Sequence, residues 1–101
     1  MSNVSETLRG KIEILRSHLP EIREKFHVRE MGVFGSYAYG DYTEQSDIDI
    51  LVEYEETPGL FGFIALEDYL SKLLKIKVDL IVKDGLKQAI KKEILDSTLY
   101  V

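Results

Sequence analysis

The sequence contains no cysteine and no tryptophan, and only two prolines. Without thiols there can be no disulfide, no thiolate metal site and no cysteine nucleophile. A disulfide-free chain of this size suits a reducing compartment, and a cytoplasmic location is expected. Long apolar runs are absent too. None approaches the ~18 residues that span a bilayer, so no membrane segment is expected. The opening MSNVSETLRG lacks a basic segment followed by an apolar one, and no signal peptide is expected. No repeat, low-complexity tract or Pro/Gly/Ser-rich linker divides the chain, so a single domain over 1–101 is expected. Positive charge is also scarce. The net charge is −5, and residues 1–70 hold 14 Asp and Glu against 6 Lys and Arg. That balance argues against direct nucleic-acid binding, which needs a positive footprint. Only residues 71–101 are basic, with seven Lys against four acids, and the plain reading is a solvated, Lys-rich final helix.

What is present is enough for an ordered core, since 45% of the residues are hydrophobic. Val4, Leu8, Ile12, Leu15, Leu19, Ile22 and Phe26 recur at three- and four-residue steps and predict an amphipathic helix, with Asn3 and Glu6 at capping-box spacing. Pro20 lacks an N–H, so a break or kink near Ser17–Pro20 is expected. Val28–Phe34 reads as a strand that ends at Gly35-Ser36. Asp47–Tyr54 reads as a second strand, and Lys77–Val82 as a third. Between the last two, Phe63, Leu66, Leu70, Leu73 and Leu74 mark a helix over 60–74 after the Pro58-Gly59 turn. Leu86, Ile90, Ile94 and Leu95 mark a last helix, with Leu99-Tyr100-Val101 free to pack back or to add a short extended piece. The alternation predicts an α/β (α+β) fold, with a small mixed sheet of three to four strands packed by helices.

The chemistry concentrates in SDIDILV. Successive strand residues point to opposite faces, so Asp47 and Asp49 share one face and Ile48 and Ile50 take the other. Paired carboxylates repel and call for a cation. Mg²⁺ is the natural one, being a hard ion that joins carboxylates to phosphates. Asp79 interrupts the apolar run VDLIV, which otherwise reads as a buried central strand. Aligned beside the second strand, it would complete three acids on one face. Three acids can hold two metal ions for attack on phosphorus. Gly35 lets backbone approach a ligand closely, and Ser36 adds a hydroxyl at a helix start that would face an anion. His18 and His27 read as ordinary helix-end residues, and Glu53 as peripheral.

Taken together, FGSYAYGDYTEQSDIDILVEY and the later Asp79 resemble the DNA polymerase beta-like nucleotidyltransferases, and more narrowly the minimal nucleotidyltransferases paired with HEPN-domain partners. The resemblance runs over nearly the whole chain. It differs at Tyr39, where the family often has arginine. The resemblance implies a nucleotidyltransferase fold and transfer of AMP from ATP, with Asp47, Asp49 and Asp79 as catalytic metal ligands. Gly35 and Ser36 would then take the phosphates. It implies Mg²⁺, with two ions expected, and a HEPN ribonuclease toxin as partner. AMP would be attached to a tyrosine hydroxyl of that toxin, making the chain its antitoxin within a hetero-oligomer. Two alternatives stay open: a binding module that neutralises its partner by contact alone, and a transferase to a small-molecule or RNA-end acceptor. Tyr37, Tyr39 and Tyr42 are candidates for contact with a base or a partner.

Overall fold

Leu8, Leu15, Leu19 and Ile22 form the buried stripe of one long helix, α1 (Glu6–Phe26). The computed structural model describes residues 6–35 and 47–101. Asn3, Val4, Ser36, Tyr37, Tyr39 and Tyr42 lie outside the described residues. The break expected at Pro20 does not occur, and α1 continues through it. Leu15 and Ile22 on either side are fully buried, so core packing holds the turn where propensity alone would open it. Ser17 Oγ donates to the Ile14 carbonyl at 2.9 Å, and His18 Nδ1 lies 2.9 Å from the same oxygen.

His27 takes a left-handed φ of 57° and turns the chain into β1 (Val28–Phe34). Strand β2 (Ile48–Tyr54) lies antiparallel to β1, from Val28 opposite Tyr54 to Phe34 opposite Asp49, with a bulge between Val28 and Glu30. Helix α2 (Leu60–Leu74) crosses to β3 (Val78–Val82), which runs parallel to β2. A 3₁₀ turn (Lys83–Gly85) and α3 (Gln88–Ser97) lead to β4 (Leu99–Tyr100), antiparallel to β1. The short extended end of the chain is therefore a fourth strand. The sheet order is β3-β2-β1-β4, a mixed sheet as expected.

One face of this sheet carries Met31, Val33, Ile48, Ile50, Val52, Val78 and Leu80, packed in a single cluster with the apolar stripes of α1 and of α2, where Leu66, Leu70 and Leu74 are buried. The other face carries the acids. Helix α3 contributes no buried residue, and Ile90 is exposed, so its apolar pattern marks a helix that does not enter the core.

Strand β3 is an edge, not the central strand that VDLIV suggested. Edge strands expose unpaired N–H groups. Here α2 answers two of them. Ser71 Oγ accepts the Val78 N–H at 3.0 Å, and a Glu67 carboxylate oxygen accepts the Leu80 N–H at 3.3 Å. The far end of α2 is anchored by Lys11, whose ammonium donates to the Leu74 carbonyl at 3.3 Å. Tyr69 packs on Phe26 with ring centroids 5.3 Å apart and donates to Glu21 at 3.1 Å, tying α2 to the end of α1.

Candidate active site

Register alone brings two of the expected acids together. In the parallel β2–β3 ladder Asp49 stands opposite Asp79, so both lie on the face away from the core. Ile48 and Val78 are paired on the core face, one residue earlier. The strands' leading residues, Asp47 and Lys77, sit beside this row. The Ile48 N–H donates to the Lys77 carbonyl at 3.0 Å, and Lys77 Nζ lies 3.7 Å from an Asp47 oxygen. Asp79 is exposed, because β3 is an edge, while Asp47 and Asp49 are half-buried. Among the described residues no three acids or histidines are drawn tightly enough to form a ready-made metal cage.

The electrostatics follow. Burial holds the Asp49 carboxyl above its ordinary value of 3.8, and the neighbouring charges of Asp79 and then Asp47 push it further the same way. A group in this state favours a cation beside it.

Gly35 closes the site on the β1 side. It follows Phe34, the cross-strand partner of Asp49, and has a φ of 74°, in the left-handed region that favours glycine. A Cβ at this position would overlap Asp49 Oδ2 and come within 3.2 Å of its Cγ. Glycine is therefore required twice, by the backbone angle and by the carboxylate packed against it. The close approach seen at Gly35 is to the Asp49 carboxylate. Ser36 follows it directly but lies outside the described residues.

Glu53, two turns of the pleat beyond Asp49, serves the fold. It accepts from Lys83 at 2.9 Å and from Arg29 at 3.4 Å, and the Lys83 hydrogen bond holds its carboxyl below the usual value. His27 lies 3.8 Å from Glu56, and neither histidine joins the acids. The sequence pattern did not single out Lys77, whose ammonium the fold sets 3.7 Å from Asp47. A cavity of about 420 Å³ between α1 and β4, lined by Arg9, Arg16, Thr98 and Tyr100, lies toward the opposite edge of the sheet and contains none of these acids.

Two strand-borne aspartates in register, a third acid at the strand start and a glycine turn packed against Asp49 lie together on a nucleotidyltransferase fold. The nucleotidyltransferase domain family matches residues 15–101, and the chain belongs to that family. Among individual relatives, the protein adenylyltransferase MntA of Thermococcus cleftensis is 52% identical over 95 residues, covering 94% of this chain and 96% of that protein. A solved minimal nucleotidyltransferase superposes with a TM-score of 0.76 at 28% identity, over 89% of this chain and 92% of the other. The complex of a tri-AMPylated Shewanella oneidensis HEPN toxin with an MNT antitoxin shares the fold, with a TM-score of 0.57 at 22% identity over 91% of this chain and 66% of the matched one.

Proposed function

We propose that the chain transfers AMP from ATP to a tyrosine hydroxyl of a HEPN ribonuclease partner, silencing that partner as its antitoxin. The observation that carries the reading is the in-register pair Asp49–Asp79 with Gly35 packed against Asp49. The names of its relatives point the same way.

The donor set fits a hard divalent cation that takes its remaining oxygens from elsewhere. The carboxylates are oxygen ligands, they are mutually repelled, and they stop short of enclosing an ion by themselves. Mg²⁺, in one or two ions, would supply charge neutralisation at the triphosphate and make the attacking hydroxyl more acidic. Asp47 and Asp49 would hold it against the nucleotide, and Asp79 would serve the acceptor side. The tyrosine oxygen forms a bond to the α-phosphorus. The bond from that phosphorus to the bridging oxygen of the β-phosphate breaks, and pyrophosphate leaves with the electron pair. The phenolic proton passes to water, favoured by the negative charge of Asp79. Gly35 and Ser36 offer backbone and hydroxyl donors to the phosphates. The remaining work is positioning and charge.

An acidic face receives a nucleotide only with cations and suits a basic, RNA-cutting protein better than an RNA end. We place the reaction in the cytoplasm, where ATP and such a partner meet. The test is transfer of label from α-³²P-ATP to the partner in the presence of Mg²⁺. Label on the partner, lost with Asp49→Asn, supports the reading. An unlabelled but fully inhibited partner would instead make the chain a contact-only module, and label on RNA ends would make it a transferase of the third kind.

A further inference from the structure

The acidic face holds two described lysines, and they are of different kinds. Lys83 is only 26% exposed and lies 2.9 Å from Glu53, which also receives Arg29. That lysine is fixed in a structural ion cluster, and its ammonium is held above its ordinary value chiefly by the Glu53 hydrogen bond. Lys77 is 77% exposed, and its distance to Asp47 is 3.7 Å. A long, solvated pair of this sort contributes at most about 1 kcal/mol. It is poorly explained as a device for stability, since Ile48 already bonds the Lys77 backbone whatever the side chain is. It is well placed for a ligand, because it directly precedes β3 and its ammonium reaches Asp47 beside the in-register pair of acids.

We propose that Lys77 is a nucleotide-binding residue of this site, contacting the phosphates that leave as pyrophosphate; the inference rests on the adenylyltransferase reading above. Three carboxylates on one face repel a triphosphate before any cation arrives. Lys77 offsets one of them through Asp47 in the free protein. With Asp47 engaged by the nucleotide's counter-ion, the ammonium would be free to turn to the incoming phosphate oxygens. Lysine suits such an exchange, being a compact charge with three donors on a flexible stem. The same charge favours departure of pyrophosphate, whose negative charge grows as the bond breaks.

The test is calorimetric binding of α,β-methylene ATP, which cannot transfer its AMP, and of AMP itself, both with Mg²⁺. Wild type, Lys77→Gln and Lys77→Arg are compared. Lys77→Gln is expected to weaken binding of the triphosphate analogue by about tenfold, the scale of one charged hydrogen bond. AMP binding should change by less than about twofold, and Lys77→Arg should recover most of the loss. The melting temperature without nucleotide should stay within about 2 °C of wild type, as expected for a solvated pair. Equal or tighter binding of the analogue by Lys77→Gln would make Lys77 merely the counter-ion of Asp47 and overturn the proposal. Equal losses for AMP and the triphosphate would overturn it too. If wild type fails to bind the analogue at all, the adenylyltransferase reading falls, and the Lys77 assignment with it.

Discussion

Asp49 is held in place against its own preference. Its carboxyl is raised by burial and by two acidic neighbours, so the folded chain takes up a proton more readily there than the unfolded one. As pH rises from 3.8 through the raised folded value, the unfolded state ionises first and stability falls; above that window the cost persists. Asp49→Asn should therefore raise the melting temperature at pH 7 by up to ~4 °C, since solvent screening at a half-exposed carboxylate keeps the gain under about 1 kcal/mol. The difference should shrink toward pH 3, where the acid is protonated in both states. Thermal melts of the two proteins at pH 7 and pH 3 would check the sign, and a variant less stable than wild type at pH 7 would refute it. Gly35→Ala should behave oppositely. The left-handed angle costs a non-glycine residue about 1–2 kcal/mol, and the added methyl collides with Asp49. It should lower the melting temperature by at least ~4 °C in a domain of this size. Both variants should lose the stabilisation that ATP with Mg²⁺ gives wild type by mass action. A nucleotide shift that survives in both would place the nucleotide elsewhere.

At the scale of elements, the acidic face depends on how an edge strand is kept in register. Strand β3 carries Asp79 and follows Lys77, and its outward N–H groups are satisfied by Ser71 and Glu67 of α2. Ser71→Ala should leave the Val78 N–H without its acceptor and cost about 1–2 kcal/mol. Hydrogen exchange at Val78 should accelerate before exchange at Ile50, in the neighbouring strand β2. Uniform acceleration of both amides would show that Ser71 acts on global stability and has no local hold on the edge. These elements were largely legible from pattern. Leu66, Leu70 and Leu74 announced α2 by period, and the alternation of Ile48 with Asp49 assigned both faces of β2. Three features were not. Pro20 predicted a break because propensity is local, whereas the burial of Leu15 and Ile22 is tertiary. VDLIV looked central because α2 covers one face of an edge strand, giving it the apolar run of an interior one. Lys77 was missed because a lysine at a strand start looks like solvated surface until register places it beside Asp47.

The acids lie on the sheet face opposite the one that packs against helices α1 and α2, and on that face Leu51 and Phe34 are buried while Asp79, on the edge strand, is exposed. Asp79 stands in solvent, and water weakens the electrostatic terms that phosphoryl transfer relies on. A partner that docks over this face would both exclude water and deliver the hydroxyl. The isolated chain should accordingly turn over ATP slowly, and adding a HEPN partner should accelerate pyrophosphate release by at least tenfold in a coupled assay, a barrier change of about 1.4 kcal/mol. Equal rates with and without partner would show that the site is complete by itself. The most direct measurement of the central claim is intact-mass spectrometry of the HEPN partner after incubation with Mg²⁺, ATP and either wild type or Asp49→Asn. The expected result is one or more added AMP masses on the partner with wild type, lying on tyrosine by fragment analysis, and none with the variant. A partner silenced by wild type while keeping its unmodified mass would contradict the transferase reading.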